Sequence, residues 1–316
     1  MIPDRHTIEQ AHERIRPHIH RTPILTSSTL NRMSGAEIFF KCENFQKIGA
    51  FKIRGAMNAV LSLSETERAR GIATHSSGNH AQAIAYAARQ VGVKAYIVMP
   101  DNSPQVKINA VAGYGAEITL CKPTLEARES TLREIVERTG AAFVHPFDDY
   151  RVIAGQATCA KELIEDVPDL QVVMAPVGGG GLLSGTALSA HYFLPDGYVI
   201  AGEPEGAADA VLSFKSGQVE KAPAIHTIAD GLLTTLSDRT LDIIRRHVRD
   251  ILLVNEDEIK EALRLVFERM KIVVEPSCVV PLAALLKHKE QFAGKRVGII
   301  LTGGNIDLTK LSGWLT

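Results

Sequence analysis

The sequence predicts an α/β protein built on two parallel sheets. Short, β-rich apolar runs alternate with helix-like stretches along most of the chain. Runs such as "KAYIVMP" and "QVVMAPV" show little in–out alternation, as expected of strands covered on both faces. The chain has 316 residues, which suggests about two domains and leaves room for two such sheets. No composition shift or linker marks a boundary between them.

In chain order, "EIFFKCE" reads as a strand and "FKIRGAMNAVLSL" as the helix after it. "GIATH" with "HAQAIAYAARQVG" repeats the order, as do "KAYIVMP" with "SPQVKINAVAGYG" and "AEITLCK" with "LEARESTLREIVERTG". Further on come "QVVMAPV" with "GLLSGTALSAHYF" and "YVIAGEP" with "AADAVLSFKSG". A composition 45% hydrophobic and 22% charged is ordinary for a soluble globular protein and supplies a sizeable core. The formal net charge of -1 argues against nucleic acid or an anionic membrane surface as partner. No apolar run approaches membrane-spanning length. The N-terminal "MIPDRHTIEQAHERIRPHIH" lacks the apolar core of a secretion signal. Cys42, Cys121, Cys159 and Cys278 are scattered without CxxC spacing. Buried free thiols in a reducing compartment are expected, and the cytoplasm is the expected location.

Two segments point to chemistry. In "APVGGGGLLSG", Gly178, Gly179, Gly180 and Gly181 follow a strand and open a helix. Free N–H groups and the helix dipole at that point favour an anion, and missing Cβ atoms let it approach. A dinucleotide fingerprint does not fit, because its sixth position falls on Leu or Ser. A P-loop does not fit either, because Thr186 and Ala187 follow Gly185 where a lysine is needed. One or two glycines would suit tight packing alone; four favour the phosphate of a smaller cofactor. In "GAFKIRGAMNAV", Lys52 begins a helix between Phe51 and Ile53. The helix N-terminus disfavours its charge and apolar neighbours lower its pKa, leaving an amine suited to imine chemistry. Alone, Lys52 reads as a surface lysine; joined to a phosphate loop, it suggests pyridoxal phosphate.

"FQKIGAFKIRGA", "THSSGNHAQA", "PVGGGGLLSG", "GEPEGAADA" and "LTGGNID" together resemble the serine/threonine dehydratase and serine racemase family. These are the fold-type II, tryptophan-synthase-β-like pyridoxal phosphate enzymes. The resemblance runs from about residue 11 to the end. It departs at Ala50, where many members carry Ser. It implies two parallel-sheet domains with the cofactor in the cleft between them. Residues 1–70 and 148–316 would form a large domain; residues 71–147 would form a small mobile one inserted in it.

The resemblance also implies roles. Lys52 would join the cofactor as an imine and act as base at the substrate Cα. Gly178, Gly179, Gly180, Gly181 and the Leu182 amide would hold the phosphate. Asn79 would bond the ring hydroxyl, Phe51 would pack on the ring, and Thr302 would face the pyridine nitrogen. A hydroxyl there makes a weaker electron sink than a carboxylate would, which favours prompt loss of a β-leaving group. Ser77 would act either as a second acid/base on the opposite cofactor face or as a carboxylate ligand beside Ser76 and Asn79. His80 and Thr234 would border the substrate, and Glu275 would lie near the cofactor. Arg128 would reach the site to grip a second carboxylate, or would be an exposed charge on its helix. Glu203, the Ala207 carbonyl and Asp209 match a divalent-cation site of hard oxygen donors, suited to magnesium or calcium and possibly manganese. The implied activity is an ammonia-lyase acting on a β-hydroxy amino acid, 3-hydroxyaspartate ahead of serine or threonine. The alternative is serine racemase. A homodimer is also implied.

Overall fold

The computed structural model describes residues 1–103 and 105–315. Its strands are β1 (Ile24–Leu25), β2 (Glu37–Cys42), β3 (Ile72–His75), β4 (Ala95–Pro100) and β5 (Glu117–Cys121), followed by β6 (Ala142–Phe143), β7 (Val172–Pro176), β8 (Tyr198–Pro204), β9 (Val248–Val254) and β10 (Arg296–Leu301). They form a six-stranded sheet in the order β1-β2-β10-β7-β8-β9 and a four-stranded sheet in the order β5-β4-β3-β6. Every pairing in them is parallel except β1 with β2. The two-sheet α/β expectation therefore holds.

The large sheet is apolar on both faces because helices cover both. Along β7, Val172 and Met174 enter one core cluster while Val173 and Ala175 enter the other. Along β10, Val297, Ile299 and Leu301 face the first and Ile300 the second. This alternation of two buried sets erases the polar/apolar pattern, as the sequence suggested. All six strand–helix pairs read from the sequence are present. Others escaped it. The helix Tyr150–Asp166 is buried without a break from Val152 to Ile164, so it shows no polar stripe. The helix Pro276–Lys287 carries Pro281 inside it, against propensity.

Parallel pairing gathers the loops after the strands' C-terminal ends along one edge of each sheet, where ligands bind in open α/β sheets. The segment to Lys52 follows β2, the glycine run follows β7, and "TGGN" follows β10. "SSGN" follows β3 of the smaller sheet. The topology thus brings together four motifs up to 250 residues apart in order-of-magnitude terms of chain length, roughly one domain's width in space.

Candidate active site

Lys52 is the first residue of the helix Lys52–Leu61, which has no side-chain cap. Its Nζ donates to the carbonyl of Pro146 at 3.0 Å and lies 5.2 Å from the Phe51 ring centre. Desolvation lowers its pKa to about 8, opposed by the Glu275 carboxylate. Two residues on, Arg54 points into the interior and is fully buried. Its Nε and Nη2 donate to Glu43 at 2.7 and 2.8 Å, and its Nη1 and Nη2 donate to Glu162 at 2.9 and 2.8 Å. A fifth bond runs from Nη1 to Thr158 Oγ1 at 3.1 Å. All five guanidinium donors are used, so the first turn of the lysine's helix is pinned from behind.

The loop after β10 is stitched to both sides of the cleft. Phe51 N–H donates to the Thr302 carbonyl at 2.9 Å, and Glu275 N–H donates to the Gly303 carbonyl at 3.0 Å. Thr302 is buried. Asn79 Nδ2 donates to both oxygens of Glu275 at 3.0 and 3.2 Å, while Asn305 Nδ2 donates to Asn79 Oδ1 at 2.9 Å. This chain of amides and carboxylate ties the smaller sheet's loop to the larger sheet. Desolvation pushes Glu275 up to about 7, with the Asp230 charge adding to the rise and the Asn79 bond opposing it. Asn305 was quoted within a sequence motif but assigned no role; its partners are apparent only in three dimensions.

The glycine run opens the helix Gly181–Phe193, with Gly180 in the left-handed region at φ 85°. A Cβ on Gly178 would lie 3.0 Å from Leu232 Cα. On Gly179 it would lie 2.3 Å from the Phe147 ring, on Gly180 2.7 Å from Leu236, and on Gly181 2.9 Å from Phe147 Cβ. Protein packing therefore accounts for the missing side chains at all four positions, a stronger role for packing than the sequence suggested. What the run offers an anion is its backbone: the first N–H groups of a helix have no intrahelical acceptor. Among the described residues, those of Gly178 to Leu182 have no acceptor elsewhere in the chain either. A phosphate fits that donor set, with the lysine amine and an amide near it.

Ser76 N–H donates to the Val98 carbonyl at 3.1 Å, and its Oγ accepts from Gly78 N–H at 3.3 Å. Ser77 is exposed at the loop tip. Thr234 Oγ1 lies 3.3 Å from the Cβ position of Gly178, beside the glycine run. His80 is only 2% exposed. Its Nε2 meets the Val144 carbonyl at 3.3 Å, so the ring faces the interior and not an incoming substrate. Burial holds His80 well below the usual imidazole range, with the Lys52 charge adding to the effect. His145 is pushed down to about 4 by burial; its Nδ1 accepts from the Asp148 and Phe147 N–H groups at 2.8 and 3.3 Å. Both rings are neutral at pH 7. Arg128 Nε meets the Thr124 carbonyl at 3.4 Å in an exposed setting, and its charge depresses His75.

At the end of β8, Glu203 and Asp209 are 1% and 3% exposed. Glu203 accepts from the N–H groups of Ala210 and Val211 at 2.7 and 2.9 Å. Asp209 Oδ2 is buried with no partner among the described residues. Ala207 is buried beside them in the turn Glu205–Ala207. No cluster of three or more metal-ligating side chains occurs among the described residues.

The profile of the pyridoxal-phosphate dependent enzymes matches residues 15–303. The chain belongs to that family. It is 52% identical over 310 residues to the β-hydroxyaspartate dehydratase of Paracoccus denitrificans, covering 98% of each chain. It is also 52% identical over 309 residues to the serine racemase of Dictyostelium discoideum, covering 96% of this chain and 95% of that one. The solved structure of maize serine racemase superposes with a TM-score of 0.96 at 41% identity, covering 99% of this chain and 97% of that one. Pyridoxal phosphate is thus the cofactor of the family, and the lysine amine, the amide chain and the N–H-rich turn fit it. Among the described residues, no helix is long and apolar enough to cross a membrane.

Proposed function

We propose that this chain is an ammonia-lyase that eliminates water from a β-hydroxy amino acid, with 3-hydroxyaspartate its foremost substrate and serine or threonine also accepted. The observation that carries the proposal is the amine of Lys52, with a pKa lowered to about 8, beside the N–H-rich glycine turn and the Asn79–Glu275 pair. Similarity to a β-hydroxyaspartate dehydratase supports the substrate class.

Pyridoxal phosphate, when bound, supplies an aldehyde that joins an amine and an electron sink for charge at Cα. The phosphate is held by the N–H groups of Gly178 to Leu182. Asn79 bonds the ring hydroxyl, Phe51 packs on the ring, and Thr302 faces the ring nitrogen. Ser76, Ser77 and Asn79 orient the substrate carboxylate, with Thr234 at the rim. Lys52 takes the Cα proton, the β-hydroxyl leaves as water with one further proton, and the released enamine takes up water to give a 2-oxo acid and ammonia. From 3-hydroxyaspartate the products are oxaloacetate and ammonia. The unit of residues 71–147 closes over the substrate by moving its "SSGN" loop.

Serine racemisation is the second reading, favoured by the exposed Ser77 in the same loop and by similarity to a serine racemase. It differs only in the fate of the Cα carbanion: Ser77 returns a proton from the other side.

Glu203, the Ala207 carbonyl and Asp209 hold a structural divalent cation, supported by the orphaned oxygen of Asp209 and by its hard-oxygen chemistry. Chelation lowers the thermal midpoint if so. A homodimer in the cytoplasm completes the proposal, and light scattering checks the dimer.

Borohydride reduction followed by peptide mapping places the cofactor adduct on Lys52; an adduct elsewhere sinks the assignment. Lys52→Ala lowers elimination by on the order of 10²–10⁴-fold. Chiral analysis of recovered serine, beside 2-oxo acid formation, separates the two readings. Ser77→Ala abolishes racemisation and retains part of the elimination of L-substrates.

A further inference from the structure

One ion pair outside this constellation spans the mouth of the cleft. Lys107 stands on the helix Gln105–Gly113, between β4 and β5. Asp230 stands on the short turn Asp230–Leu232, between β8 and β9. Lys107 Nζ donates to Asp230 Oδ2 at 2.7 Å. The same ammonium lies 3.8 Å from the Cβ position of Gly78, over the residue that precedes Asn79. It acts electrostatically on Glu275, the carboxylate that Asn79 holds, and on Asp307.

The pair is asymmetric. The Lys107 side chain is 20% exposed, whereas that of Asp230 is 55% exposed. Losing the lysine leaves Asp230 hydrated at little cost, because an exposed ion pair contributes little. The lysine has fewer water contacts and gains more from a new anion. Arg128, by contrast, is spent on the Thr124 carbonyl and lies against His75. Lys107 is the cation that stands over the "SSGN" loop.

We infer that Lys107 is a specificity-determining residue that binds the second carboxylate of a dicarboxylic β-hydroxy amino acid, with Asp230 as its internal partner until substrate arrives. The inference rests on the 3-hydroxyaspartate reading and adds the residue that selects this substrate over serine. The serine side chain has no group for Lys107 to hold.

The test uses holoenzyme. Lys107→Gln lowers kcat/KM for L-threo-3-hydroxyaspartate about tenfold, mostly through KM, as expected for a lost charge-assisted contact. L-serine changes by no more than about twofold. Inhibition by succinate weakens about tenfold while inhibition by butyrate, which lacks the distal carboxylate, holds. Asp230→Asn frees the ammonium and tightens succinate. Arg128→Gln leaves the succinate-to-butyrate ratio unchanged. Equal losses on both substrates and both inhibitors overturn the inference, because Lys107 then holds the α-carboxylate or only latches the two units. No loss on any of them overturns it as well. If the wild type does not turn over 3-hydroxyaspartate, the functional reading fails, and the succinate–butyrate pair still decides the role of Lys107.

Discussion

The two sheets are built to different standards. The six-stranded sheet carries a deep apolar cluster on each face. The four-stranded sheet carries one on a single face, where it shares residues with the helix of Lys52. Its other face is covered by the helix Leu125–Thr139, which buries only Leu132 and Ile135. Leu120, Leu125 and Phe143 stay 53%, 56% and 39% exposed around it. A thin core opens locally at less free-energy cost than a deep one. The large sheet is therefore the rigid frame that holds Lys52, the glycine run and Thr302. The smaller one carries the "SSGN" loop and Lys107, the parts that must reach substrate.

Arg54 is the sharpest way to break that frame. Arg54→Met strands Glu43 and Glu162 in the interior and destabilises the protein by about 3–5 kcal/mol, measured by urea unfolding. A change under about 1 kcal/mol would mean that neighbouring Lys41, which also pairs with Glu162 at 2.8 Å, carries the cluster.

Glu275 lies at the junction of the two units, and its proton reports on that junction. Its folded pKa is raised from 4.5 to about 7. Between those values the folded protein keeps a proton that the unfolded chain has released. Stability therefore falls as pH rises through that window, by up to roughly 3 kcal/mol in cofactor-free protein. Glu275→Gln flattens the slope; an unchanged pH profile of the thermal midpoint would show that the slope comes from elsewhere. The lysine supplies the opposite sign. With its folded pKa lowered from 10.5 to about 8, stability contributed by Lys52 rises with pH between those values.

The smallest effect belongs to the thin face. Leu132→Ala destabilises by about 2 kcal/mol, and hydrogen exchange should quicken in β3 to β6 while β7, β8 and β10 stay protected. Exchange quickening equally in both sheets would mean that the two units open together.

Much of this was legible in the residues. The β–α alternation and the flat apolar runs led to the two-sheet architecture, because strands buried on both faces leave that signature. "GGGG" and "AFK" pointed to an anion and an amine through their backbone and pKa consequences. Other parts were not legible. The helix Tyr150–Asp166 lacks an amphipathic stripe because it is buried on every side. The strand β10 has no helix immediately after it to complete the repeated pattern; only its pairing with β2 and β7 shows that it lies inside the large sheet. His80 looked like a substrate neighbour beside Asn79, but successive helical residues point in different directions, and its ring turns to Val144.

By itself, the sequence determined the class of fold, the order of its units and the kinds of group available for chemistry, because local periodicity and residue type act over a few neighbours. Tertiary structure alone decided which groups meet. Phe147 packing into the glycine run, Asn305 reaching Asn79 and Lys107 meeting Asp230 all join distant segments. Such meetings depend on strand order and parallel register, which no single stretch of chain encodes.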